Sequence, residues 1–228
     1  MESPAPPVKL VMRLCVRAMA DMEQRSLEWF AARLGKVTAS RVADIIAKTK
    51  SGYSTSRATY MAELVCERLT GLQGDSYQNA AMVWGINTEP FARQAYESRL
   101  ADLVEEVGFI PHPTIENAGA SPDGFVGEDG LVEIKCPNTA THIDTLLSGA
   151  APSKYVTQMQ WQLACTGRNW CDFVSYDPRM PEHMQIFIFR VHRDNEMIIE
   201  LEREVEKFLS ELKDKVSTLN KLYKKETE

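Results

Sequence analysis

Apolar residues in SLEWFAARL (26–34) recur with a helical period, Ser26 is placed to cap that helix, and Gly35 is placed to end it. After a short junction, TASRVADIIA predicts a second helix capped by Thr38 or Ser40. Residues 48–57, KTKSGYSTSR, carry no apolar period and read as a mobile loop, followed by a helix through YMAELVCERLTG that stops at Gly71. Another helix is predicted over Ala81–Tyr96, with Pro90 tolerable near a first turn. The period then shortens: runs at 103–110, 118–126, 131–136, 170–176 and 185–191, rich in Val, Ile and Phe and bounded by Gly, Pro, Asn or Asp, predict strands. Tyr155–Thr166 is helical in pattern. From Asp194 to about Lys224, Ile198, Leu201, Val205, Phe208, Leu212, Val216 and Leu219 recur three or four apart. This is an amphipathic helix packed on the body or, alternatively, a partner-binding coiled coil.

Helices around a mainly antiparallel or mixed sheet predict an α/β or α+β domain, which alone says little about function. No internal repeat is visible, and nothing in the 228 residues argues for two units. Residues 1–17 read as an N-terminal extension and 18–228 as one domain that includes the C-terminal helix.

Composition narrows the functional classes. No apolar run approaches a membrane span, and Arg13 and Arg17 interrupt VKLVMRLCVRAMA, so a soluble cytoplasmic protein without a membrane partner is expected. The five cysteines include no Cys-x-x-Cys pair, and the four histidines share no i, i+4 spacing, so any metal should be held by oxygen. Net charge is −6, unevenly spread: residues 1–60 hold ten Lys/Arg against five Asp/Glu. The basic end is a candidate for phosphate contact, or an ordinary fluctuation of solvated surface charge.

SPDGFVGEDGLVEIKCP (121–137) is the stretch with the most chemistry. Pro122-Asp123-Gly124 and Gly127-Glu128-Asp129-Gly130 are good turn sequences, so a plain charged hairpin would account for much of it. In LVEIKC, however, Val132 and Ile134 alternate with Glu133 and Lys135, which share the opposite face. With Val132 and Ile134 on the core, Glu133 and Lys135 project beside Asp123. Two carboxylates and an ammonium suit Mg²⁺-assisted phosphodiester hydrolysis: Asp123, Glu133 and the Ile134 carbonyl offer oxygen ligands, and Lys135 positions or deprotonates water and steadies phosphate charge. The plainer alternative is an exposed Glu133–Lys135 ion pair of little energetic consequence.

Pro-Asp, with Glu-x-Lys starting ten positions after the Asp, resembles the signature of the restriction-endonuclease-like nuclease superfamily. The wider series ARLGKVTAS, VWGINTEPFAR, ASPDGF, LVEIKCP, YVTQMQW and YDPRM, in this order over roughly 18–200, resembles bacteriophage lambda exonuclease and its viral recombinase relatives. The resemblance implies an α/β restriction-endonuclease-like core, a central mixed sheet flanked by helices. It implies a Mg²⁺-dependent enzyme, with Mn²⁺ able to substitute, that degrades the 5′-ended strand of duplex DNA and leaves a 3′ single strand. By the same resemblance Asp123 and Glu133 are metal ligands, Lys135 is the catalytic lysine, Glu89 is a further acid, and Gln158 orients the attacking water. Arg33, Ser40 and Ser121 match a 5′-phosphate pocket, Met82 a wedge at the terminal base pair, and Lys50 a DNA contact. The partners implied are double-stranded DNA ends, a homotrimeric ring and a single-strand annealing protein. Two other readings stay open: an endonuclease on the same core, and a noncatalytic DNA-binding recombination scaffold.

Overall fold

Strand β8 (Gly130–Lys135) is the middle of a five-stranded sheet ordered β10-β9-β8-β7-β4, where β4 is Val104–Glu105, β7 Gly124–Val126, β9 Trp170–Tyr176 and β10 Ile186–His192. The computed structural model describes residues 22–74 and 80–223, so the N-terminal extension lies outside the described residues. β8 and β9 run parallel and the other neighbours antiparallel, which makes the sheet mixed. A parallel pair requires a long crossover. Helices α5 (Thr139–Ser148) and α6 (Ser153–Thr166) supply it.

Both faces of the sheet are covered. Leu131, Cys171 and Phe173 pack against Met159 and Leu163 of α6. Val132, Ile134 and Val174 pack on Ala92 and Tyr96 of α4 (Ala80–Leu100). A second sheet, ordered β1-β6-β5, combines Val37–Thr38, Ala118–Ala120 and Ile110–Pro111. It adjoins a helical cluster built from Ile45 of α2 (Ala39–Ile46), Leu64 of α3 (Thr55–Thr70) and Val205, Phe208 and Leu212 of α7 (Asn195–Leu222). The predicted amphipathic tail is therefore part of the core.

Helix α1 (Leu27–Arg33) begins as expected: Ser26 Oγ accepts the Trp29 N–H over 3.2 Å. Thr38 occupies the cap position of α2, but its side chain makes no capping bond, and Ser40 falls inside the first turn.

Several expectations are corrected. Residues 48–57 are not a loop but a hairpin, β2 (Lys48–Thr49) paired with β3 (Gly52–Tyr53), running into α3. Two-residue strands are too short to show alternation, and the hairpin is held from a distance: Tyr53 Oη donates to Glu204 of α7 over 2.6 Å. Pro90 lies in the middle of α4, on its exposed side, where the Ile86 carbonyl that it deprives of a donor can meet water. The run 103–110 yields only β4 and β5, in different sheets, and 118–126 is broken into β6 and β7 at Ser121-Pro122-Asp123. At this break the chain steps from the small sheet to the large one. Gln24 Nε2 pins the step by donating to the Val107 and Pro122 carbonyls over 2.7 and 2.8 Å. Gly124 must follow, since a Cβ there would stand 2.1 Å from Val104 Cγ1. Helix α5 carried no recognised signal in the sequence.

Candidate active site

β7 pairs with β8 only as far as Gly124 opposite Val132. One residue beyond, the Asp123 carboxylate takes over from backbone and accepts the Ile134 N–H over 2.6 Å. In a strand the N–H and C=O of one residue point the same way, so the Ile134 carbonyl faces the Asp123 side as well. This cross-link holds the Pro-Asp turn against the Glu-x-Lys strand.

Alternation in β8 sends Glu133 and Lys135 toward α6, on the same face as Leu131. Glu133 is 1% exposed, which dismisses the surface ion pair. Its Oε1 accepts from Gln158 over 2.6 Å and from Lys135 Nζ, and its Oε2 accepts from Gln162 over 2.5 Å. Gln158 and Gln162 are one helical turn apart on α6 and so meet the same carboxylate. Burial, then the Glu133 charge, pushes the Asp123 carboxyl well above its ordinary value, although Asp123 keeps some exposed surface. Burial works against the Lys135 ammonium, but the Glu133 and Asp123 charges outweigh it and raise its pKa.

A cavity of about 410 Å³ opens over this corner, lined by Glu89, Ile134, Lys135, Cys136, Tyr155 and Met82 among others. Glu89 adds charge near Asp123, yet its own oxygens are engaged by Arg25 over 2.8 Å and Arg93 over 3.2 Å. Among the described residues no cluster of three or more His, Cys, Asp or Glu is arranged to hold a metal ion. The donor set is thus two carboxylates and a carbonyl, all oxygen, with mutual repulsion that a cation would relieve. Such a set fits Mg²⁺, which binds through one or two carboxylates and keeps waters for substrate phosphate to displace.

The residues expected to form a phosphate pocket gather a short distance away. Ser121 Oγ accepts from Arg33 Nη1 and from the Trp29 indole N–H, each over 3.0 Å. The Arg33 guanidinium lies 3.9 Å from the Trp29 ring centroid, and burial draws its pKa down to about 10, leaving it cationic at neutral pH. Arg33 and Ser40 line a second cavity, of about 330 Å³, and Met82 lines both this cavity and the carboxylate one. Lys50 lies apart, exposed in the turn of the β2–β3 hairpin.

A viral recombinase family model, the YqaJ-like viral recombinase domain, matches residues 28–169. The chain belongs to this family. Among solved structures it is similar to the alkaline exonuclease LHK-Exo from Laribacter hongkongensis, with 55% identity and TM-score 0.81 over 86% of this chain and 97% of that one. LHK-Exo in complex with dAMP matches equally, at 56% identity and TM-score 0.81 over the same shares, 86% and 97%. A phage related exonuclease from Haemophilus somnus 129PT shares the fold at 17% identity and TM-score 0.67, over 81% of this chain and 96% of that one. No curated protein matches the chain. The lambda-exonuclease-like family and the restriction-endonuclease-like core expected from the motifs are both borne out.

Within this family fold, Glu133, Lys135 and Gln158 are brought into direct contact, Asp123 is bonded to the backbone of the same strand at Ile134, and Arg33 meets Ser121. Ser40 shares Arg33's cavity, whereas Lys50 touches neither group. Sequence reasoning left Gln162 and Trp29 without a site role. The i, i+4 pair of glutamines was a usable signal for the first, and the Trp-x-x-x-Arg spacing on α1 for the second. A third cavity, of about 970 Å³, lies between α3 and α7 and contains none of these groups.

Proposed function

We propose that the chain is a Mg²⁺-dependent exonuclease that degrades the 5′-ended strand of linear duplex DNA in the 5′-to-3′ direction, releasing mononucleotides and leaving 3′ single strands for recombination. Mn²⁺ is expected to replace Mg²⁺. The observation behind this reading is the sheet-to-sheet step at 121–123, where Ser121 bonds Arg33 while Asp123, two residues on, bonds the Glu-x-Lys strand. Two residues of chain span about 7 Å at most, short enough for one nucleotide to bridge an anchored end and the scissile phosphate.

Asp123, Glu133 and the Ile134 carbonyl would hold the cation, which supplies Lewis-acid polarisation of phosphate and an activated water. Lys135 sits beside Glu133 to steady charge developing on phosphate. Gln158, adjacent to the same carboxylate, is positioned to orient water. Arg33, Ser40 and Ser121 would hold the terminal 5′-phosphate, because a guanidinium with hydroxyls matches its oxygens. Met82, half exposed between the cavities, would part the terminal base pair, and Lys50 would meet the DNA backbone. Glu89 acts through its charge near Asp123. LHK-Exo, itself an alkaline exonuclease, crystallises with dAMP, a nucleotide of the kind such a reaction releases.

By resemblance to lambda exonuclease, the reading extends to a homotrimeric ring around DNA, to a single-strand annealing protein that receives the 3′ strand, and to a cytoplasmic site of action. No described helix is long and apolar enough to cross a membrane. The decisive experiment is digestion of an end-labelled linear duplex and a covalently closed circle with and without Mg²⁺. Mononucleotides from the linear duplex alone, and with Mg²⁺ alone, are expected. Cutting of the circle would indicate an endonuclease, and an inert linear duplex a noncatalytic scaffold.

A further inference from the structure

The charges lining the Arg33 cavity do not cancel. Arg41 is committed to Glu63 and to Asp44, each over 2.7 Å. Arg33 is opposed by Glu67, whose carboxylate also accepts the Gly35 N–H over 2.7 Å. The remaining charged lining residue is Lys36, and among the described residues no carboxylate pairs with it. Among the described residues that line the cavity, Lys36 is thus the cation without a paired carboxylate.

Its position is built into the chain. Gly35 takes a left-handed φ of +67°, and the Lys36 N–H donates to the Arg33 carbonyl over 3.0 Å, so one tight turn sets the two cations at the same wall. The Lys36 ammonium stands 5.3 Å from the Phe109 ring centroid and is half-buried, its pKa lowered by that burial. A half-buried cation without a counter-charge is costly unless an anion completes it.

A terminal phosphomonoester carries roughly −1.5 to −2 at neutral pH. A phosphodiester carries a single charge. Arg33 offers a planar fork suited to two oxygens, whereas lysine acts as a compact point charge. We propose that Lys36 is the second cation of this cavity and sets its preference for a doubly charged terminal phosphate over a singly charged phosphodiester. The inference rests on reading the cavity as the 5′-phosphate pocket.

The test is equilibrium binding of the full chain, by fluorescence anisotropy with Ca²⁺ present, to short duplexes ending in 5′-phosphate, 5′-O-methyl phosphate or 5′-hydroxyl. The wild type is expected to bind them in that order of decreasing affinity. Lys36→Met should lower the phosphate-to-methyl-phosphate ratio by roughly tenfold, the scale of one charge-assisted hydrogen bond, and Lys36→Arg should restore it. A wild type that binds all three ends alike, or none, overturns the phosphate-pocket reading and Lys36 with it. A wild type that ranks the ends while Lys36→Met keeps the ratio within about twofold overturns Lys36 alone.

Discussion

The Gln162 carboxamide, with no exposed surface, donates to Glu133 Oε2 over 2.5 Å. Together with Gln158 and Lys135 it leaves the buried carboxylate a single orientation. Gln162→Leu removes one donor and keeps much of the bulk. Activity is expected to fall about 10–100-fold, as for partners that orient a metal ligand, and stability by about 1–3 kcal/mol. Digestion rates and thermal unfolding measure the two effects separately. Full activity in this variant would show that Glu133 needs no support from α6.

Glu133→Gln and Lys135→Ala address the chemistry itself. The first keeps shape and removes a charge that Asp123 and Lys135 both feel. The second removes the only ammonium bonded to Glu133 among the described residues. Each is expected to cut mononucleotide release by roughly 10²–10³-fold or more, while DNA ends still bind in a gel-shift assay. Wild-type turnover by either variant would take that residue out of the reaction.

What the sequence conveyed follows from range of interaction. Val132 and Ile134 alternating with Glu133 and Lys135 encode two faces locally, and both faces form as read. That Glu133 would be sealed by α6, and Glu89 engaged by Arg25, depends on contacts 25, 29 and 64 residues apart, which no local pattern carries. The 48–57 hairpin was missed for the same reason, since Tyr53 meets Glu204 across 151 residues. The motifs single out both Ser121 and Asp123, but not the change of sheet between them.

Phe208 tests whether α7 belongs to the domain. Its ring is fully buried and stacks on Tyr60, with centroids 5.6 Å apart. Phe208→Ala is expected to cost about 3–5 kcal/mol, read as a lowered denaturation midpoint with an unchanged slope. A loss below about 1 kcal/mol would mean that α7 packs only peripherally.

Asp123 gives the metal-free protein a pH signature. Its carboxyl ordinarily titrates near 3.8 and is raised well above this by burial, then by Glu133. A group with a higher pKa in the folded state binds protons more tightly there. Its contribution to stability is therefore complete below the unfolded value and is lost as pH rises through the folded value. In EDTA, Tm should decline over that interval, upward from about pH 4, and Asp123→Asn should flatten the decline. Added Mg²⁺ should restore stability, and more so at higher pH, because the cation binds the folded carboxylates in competition with protons. Melting curves for both proteins, with EDTA and with Mg²⁺, provide the comparison. A decline that persists in Asp123→Asn would assign it to another group, and the absence of any Mg²⁺ effect near pH 8 would argue that Asp123 and Glu133 hold no cation.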